Sequence, residues 1–134
     1  MRLKKITLRE THLPLVEPFQ TSFDTTTLRR ILLIETDVDG TIGWGESTAG
    51  EDPYYCYETV ETAWHILSDY LWPLLKGREF ATAAEVFDLF ARVRGHNMAK
   101  AGLEIALWDA EAKLKNVPLA KLLGGTREEI SCGV

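Results

Sequence analysis

Two cysteines in 134 residues, Cys56 and Cys132, are too few for a disulfide framework, and free thiols in a reducing cytoplasm are the simplest reading. Long apolar runs are also missing. Nothing approaches the roughly 18 residues of a membrane span, so no membrane partner is expected. The start, Met1-Arg2-Leu3-Lys4-Lys5-Ile6, has charges with no apolar stretch behind them and does not read as a secretory signal. An excess of basic charge is absent as well. The 15 Lys and Arg against 20 Asp and Glu give a net charge of −5, which argues against nucleic acid and anionic membranes as partners. Internal repeats, low-complexity tracts and charged tails are lacking. His12, His65 and His96 stand apart, with no zinc-type spacing. Gly40, Gly43 and Gly45 do not form a dinucleotide fingerprint, which needs strand, glycines and helix in that order; they read as hairpin punctuation.

What is present suits one soluble α+β domain: 46% hydrophobic and 26% charged residues in a chain long enough to bury a core. The first third reads as strands. Leu3, Ile6, Leu8 and Leu13 mark a half-exposed strand, and Leu28–Val38 marks a stronger one. Asp39-Gly40 then divides it from Thr41–Glu46, a hairpin signal because a tight primed turn demands positive φ. Three strands in an antiparallel meander are expected.

After Pro53 the period becomes helical. Val60, Ala63, Trp64, Leu67, Leu71 and Leu74 share a face, and Pro73 should end or kink that helix. Thr82-Ala83-Ala84-Glu85 matches a capping box opening a helix with Val86, Phe87, Phe90 and Val93, stopped near Gly95. Between Met98 and Lys115 runs the most apolar helix. Leu103, Ala106, Leu107, Ala110 and Leu114 mark one face; Ile105, Trp108 and Ala112 mark another. Pro118 suits the first turn of a short helix that Gly124-Gly125 ends.

A helix with two apolar faces must be covered on both. Ile130–Val134 reads as the opening of a buried strand, with Cys132 inside it, and such a strand needs neighbours on each side. Together these features suggest the front of something larger. The alternative is that Ile105 and Trp108 fill a self-sufficient core.

Several motifs narrow this further. Ala106-Leu107-Trp108-Asp109, Pro118-Leu119, Leu122-Leu123-Gly124-Gly125 and Arg127 occur in the order found at the domain junction of the enolase superfamily. Gly43-Trp44-Gly45-Glu46 resembles that superfamily's third capping strand. With "PFQTSF" at 18–23, "GWGEST" and "GHNMAKAGLE", the chain resembles the o-succinylbenzoate synthase/N-acylamino acid racemase branch of the mandelate racemase/muconate lactonizing type, from about Leu3 to Val134. The resemblance implies an enolase-type N-terminal capping domain over 1–128, and the first strand of a missing TIM barrel over 129–134. It also implies magnesium or another divalent ion, a small carboxylate substrate, and removal of the proton α to that carboxylate by barrel lysines. In synthases the intermediate loses water to give o-succinylbenzoate, on the route to menaquinone; in racemases it is reprotonated on the other face. The barrel of the same protein is the implied partner, and the whole enzyme is expected to be a cytoplasmic homo-oligomer. This chain alone is expected to be inactive and to bind no metal.

By position, the resemblance carries two substrate-selecting loops onto Pro18–Phe23 and Ser47–Tyr55. Phe19, Phe23, Gly50 and Tyr55 fall where the family lines its pocket. Aromatic rings suit that task because they offer rigid apolar area that excludes water, and Gly50 would leave room. Ordinary packing beneath a loop is the competing role. Glu46, Glu51 and Asp52 read as solvated carboxylates rather than metal ligands, and Lys100 as structural or a charged rim. Cys56 and Cys132 have no sequence-adjacent base and so are not read as nucleophiles. Two other classes of function stay open: a self-associating, non-catalytic α+β module that buries its spare helical face, and the capping chain of a split enzyme.

Overall fold

The computed structural model describes residues 1–22 and 24–133. Its sheet has three antiparallel strands in the order β1 (Leu3–Gln20), β2 (Thr25–Val38), β3 (Thr41–Ser47). At the tight turn, Asp39 and Gly40 have φ of 52° and 90°, the two positive values a type I′ hairpin requires. The β1–β2 hairpin is much longer than its partner. Its ladder is broken between Pro14 and Phe19, where five steps along β1 face two along β2. Pro14 and Pro18 cannot donate to a ladder, so the break falls where donors are missing.

Helices cover one face of this sheet. α1 (Val60–Ile66) passes into a π-helical turn over Leu67–Leu71 and then α2 (Trp72–Leu75); α3 (Glu85–Phe90), α4 (Asn97–Leu114) and α5 (Leu119–Leu122) follow. Pro73 neither ends nor sharply breaks the first of these. The amide of Trp72 reaches back five residues to Leu67 O, so the wider turn absorbs the missing donor and makes room for the ring. The extra residue also shifts the buried face downstream, so Leu75 is fully buried where Leu74 was expected; Trp64, upstream of that turn, is 41% exposed rather than on the buried face.

The capping box expected at Thr82 is not formed. α3 begins two residues later, and Glu85 Oε1 accepts from Ala81 N instead. Phe87 consequently points out, 65% exposed. A capping box does exist at α1, where Thr59 Oγ1 accepts from Thr62 N and Thr62 Oγ1 from Thr59 N. α5 closes as expected: Gly124 N donates to Lys121 O and Gly125 N to Ala120 O, the paired bonds of a Schellman end, with Gly124 at φ 83°.

α4 is the spine. Its buried face is Ala99, Gly102, Leu103, Ala106, Leu107 and Ala110, packed on Leu32, Ile34 and Val38 of β2. The contact with β3 is closer still. A Cβ on Gly43 would stand 2.0 Å from Ala106 O, and one on Gly45 2.0 Å from Gly102 O. Gly43 and Gly45 therefore do not punctuate the hairpin, as Gly40 does; they let helix and strand backbones touch. The buried Thr36 Oγ1 lies 3.2 Å from Ala106 O and 3.3 Å from Gly43 O, bridging the same seam.

Side chains of α4 also occupy the outer edge of β3. Asp109 Oδ2 accepts from Trp44 N at 2.8 Å, and Lys113 Nζ donates to Ile42 O at 2.9 Å. An open sheet edge is thereby paired without a fourth strand. Ile105 and Leu114 are left outside, 48% and 41% exposed, and Trp108 is half-buried.

The strand expected over Ile130–Val134 does not form among the described residues. Residues 129–133 join no ladder, Ile130 is 76% exposed, and Cys132 is exposed rather than buried; Val134 lies outside the described residues. No strand lies beside that segment to supply its hydrogen bonds, and apolar residues alone do not make a strand.

Candidate functional site

The first loop is the tip of the β1–β2 hairpin. Phe19 sits opposite Thr26 on β1, 53% exposed, with the Arg29 guanidinium 5.6 Å from its ring centroid. That cation–π contact orients an apolar ring that water otherwise surrounds. Thr21 Oγ1 accepts from Asp24 N at 3.0 Å, turning the chain at the tip. Phe23 lies outside the described residues.

The second loop leaves β3 at Ser47, whose side chain is buried and whose Oγ has no hydrogen-bond partner among the described residues. Gly50 is exposed and forms a single parallel bridge with Thr59, its carbonyl accepting from Val60 N at 2.9 Å. A Cβ there would meet only Asp52 O, at 3.6 Å, so Gly50 leaves room that its neighbours do not fill. Tyr54 and Tyr55 follow, 84% and 86% exposed. Rings this bare are rare in a packed interior and common at surfaces that receive something.

Phe19 stands on the tip of the β1–β2 hairpin, while Gly50 and Tyr55 stand on the segment that follows β3. Among the described residues they share no hydrogen bond or ring contact. Thr26, opposite Phe19, lies six residues along β2 from Leu32, the partner of Ser47, so the points where the two loops leave the sheet are about 20 Å apart along the strand.

A cleft of about 450 Å³ opens elsewhere, between the hairpin and α1, lined by Glu10, Arg30, Glu61, Trp64, His65 and Asp69 among others. Arg30 dominates it. Its Nε and Nη2 hold Glu10 at 2.8 and 2.9 Å, and Nη1 binds Glu61. The hydrogen bonds from Arg30 hold both carboxyls below their usual pKa of 4.5, and those bonds to Glu10 and Glu61 raise that of Arg30 in turn. All three groups satisfy one another, which is a strut between sheet and helix rather than a reactive arrangement.

Glu46, Glu51 and Asp52 are exposed, and no group of three or more His, Cys, Asp or Glu among the described residues could hold a metal ion. His12 Nε2 stands 3.8 Å from Glu10, and His65 Nδ1 stands 2.9 Å from Asp69. Cys56 Sγ accepts from Glu58 N, and Lys100 Nζ donates to Val93 O. No helix of the described residues is long and apolar enough to cross a membrane.

Sequence reading missed Glu58. Its carboxylate is 3% exposed and accepts from Met98 N and Ala99 N at the start of α4. The only signal in the sequence was an acid placed just before a helix, and its target lies 40 residues away.

Comparison with known proteins supplies the context. Residues 4–124 match the family described as "Mandelate racemase / muconate lactonizing enzyme, N-terminal domain". The chain is 45% identical over its whole length to the o-succinylbenzoate synthase of Bacillus subtilis, and 41% identical to the N-succinylamino acid racemase of Amycolatopsis sp, covering 36% of each. A solved structure of an enolase superfamily member from Listeria innocua superimposes with a TM-score of 0.90 at 38% identity, covering 96% of this chain and 35% of that one. The chain thus spans about a third of the length of the curated relatives it matches. With its three-stranded meander and helical layer, it belongs to the mandelate racemase/muconate lactonizing enzyme N-terminal domain family of the enolase superfamily.

Proposed function

We propose that this chain is the capping and substrate-specificity domain of a cytoplasmic enzyme of the o-succinylbenzoate synthase/N-acylamino acid racemase kind, which removes the proton α to a carboxylate. Residues 1–128 are the capping domain in this reading, and 129–134 open the first strand of a barrel that supplies the ladder partners they lack. Identity of 41 to 45% along the whole chain to both a synthase and a racemase carries the proposal. The two exposed aromatic loops support it.

Among the described residues no group of three or more His, Cys, Asp or Glu could hold a metal ion, and this reading assigns the divalent ion implied by the resemblance to the barrel. The part played here is steric and solvational. Phe19 and Tyr55 would close over the bound acid from two sides and keep water from the carbon that loses its proton. Gly50 would leave space for the acyl or side-chain group.

The test uses the native protein, expressed from its complete gene, with an N-succinylamino acid in heavy water and added magnesium. The expected result is deuterium at the α-carbon, abolished by chelator and not produced by this 134-residue chain alone. Phe19→Ala and Tyr55→Ala should each lower kcat/KM about tenfold, the worth of half-burying a large apolar side chain. Absence of both α-exchange and o-succinylbenzoate formation in the native protein overturns the reading.

A further inference from the structure

The second loop carries Gly50 and Tyr55, yet Tyr54 and Tyr55 are bare, so whatever fixes their position must act at the loop's base. That base is built from four consecutive contacts. Gly50 O accepts from Val60 N at 2.9 Å. Cys56 Sγ accepts from Glu58 N at 3.4 Å. Tyr57 Oη accepts from His96 N at 3.1 Å, with the two rings edge to face at 5.8 Å. Glu58 Oε2 accepts from Met98 N at 3.0 Å and Ala99 N at 3.2 Å, while Oε1 lies 3.1 Å from Met98 N.

The α4 side of this clasp is shaped to need an acceptor from elsewhere. His96, which precedes the helix, is held at φ 53° and ψ 46° and gives α4 no side-chain cap. The first amides of the helix therefore face the loop unpaired by their own segment. Glu58 answers them with a full charge in a buried place, where charge-assisted bonds are roughly twice as strong as neutral ones. The fit is tight on the other side too: a Cβ on Gly95 would stand 2.7 Å from Tyr57 Oη.

Glu58 thus joins the loop's end to the first amides of the spine packed on β3, beside the contact of Tyr57 with His96 N. We infer that Glu58 is a positioning residue, whose buried carboxylate on the α4 amides sets where Gly50 and Tyr55 meet the substrate. This rests on the capping-domain reading above, since only then does loop position govern substrate binding.

The experiment is Glu58→Gln in the native protein, read two ways. Glutamine keeps one acceptor oxygen but loses the charge and turns an NH2 toward the helix amides. Hydrogen–deuterium exchange over residues 48–57 should accelerate at least about tenfold, while Leu103–Ala110 in the middle of α4 stays protected. With an N-succinylamino acid, KM should rise about tenfold and kcat stay within about twofold, because the chemistry lies elsewhere. Unchanged loop exchange overturns the inference, and so does faster exchange with an unchanged KM. Should Glu58→Gln fail to fold, Glu58→Asp keeps the charge but shortens the reach to the α4 amides by one methylene, and about threefold faster loop exchange with a raised KM is then expected; no change in either refutes the inference. If the wild-type protein turns over neither class of substrate, the functional reading falls, and loop exchange alone still decides whether Glu58 fixes the loop.

Discussion

Replacing Gly45 by alanine tests the seam between α4 and β3 with a single methyl group. The new Cβ would lie 2.0 Å from Gly102 O, 2.9 Å from Ala106 N and 3.1 Å from Ala106 Cβ, against an ordinary contact of 3.4 Å or more. Two of those three atoms are helix backbone, so no side chain can rotate away. Restoring normal separation from Gly102 O means moving strand and helix apart by about 1.4 Å. That motion stretches the Asp109–Trp44 N bond from 2.8 Å and the Thr36–Ala106 O contact from 3.2 Å past useful length. Overpacking costs about 1–3 kcal/mol and each of the two lost bonds about 1 kcal/mol more, so a loss of roughly 3–5 kcal/mol is expected. Against a typical total of about 5–15 kcal/mol, that is a severe change. Gly50→Ala is the control: its Cβ meets one atom at 3.6 Å, and the effect should stay within about 0.5 kcal/mol. Urea unfolding followed by far-ultraviolet circular dichroism measures both. If Gly45→Ala unfolds within about 0.5 kcal/mol of the parent, the argument from close backbone approach is wrong.

Two further changes probe buried and paired charge. Glu111 is 1% exposed and accepts from Ala83 N at 2.7 Å and Lys115 Nζ at 2.5 Å; Glu111→Ala should cost about 2–3 kcal/mol by orphaning the Ala83 amide, whereas Lys115→Ala, at a half-exposed site, should cost less than about 1 kcal/mol. Equal costs would refute that ranking. Glu10 and Glu61 have folded-state pKa values below 4.5, so their pairing with Arg30 contributes stability above that pH and loses it as pH falls through the depressed values. Wild type and Arg30→Gln should therefore differ in urea midpoint at pH 7 and converge as pH falls below the depressed values, and a constant gap would exclude the carboxylates as the cause.

The elements legible in the sequence were those whose cause is local. Asp39-Gly40 demands its turn through φ, and Gly124-Gly125 ends α5 through two short-range bonds. The α4 periodicity finds its core face because a helix repeats that face over 18 residues. What the sequence concealed was set by distant partners. Thr82 and Glu85 have the spacing of a capping box, but Glu111, 28 residues on, takes the Ala83 amide and the helix starts later. Pro73 reads as a helix breaker until the π turn is seen to shift the register by one residue. Phe19, Gly50 and Tyr55 were carried over by position from the family resemblance, and no local periodicity or spacing marks them in the sequence.

The same distinction governs Asp109. In sequence it is one letter of a motif; in the fold its carboxylate pairs the outer edge of β3 through Trp44 N while Lys113 holds both it and Ile42 O. Beside that edge, Ile105 and Trp108 remain partly bare, and residues 129–133 run on without a ladder. Two side chains of α4 stand where a fourth strand would pair on β3. The face carrying Ile105 and the segment carrying Ile130 are both exposed, and a neighbour outside this domain would cover them. The capping-domain reading supplies one.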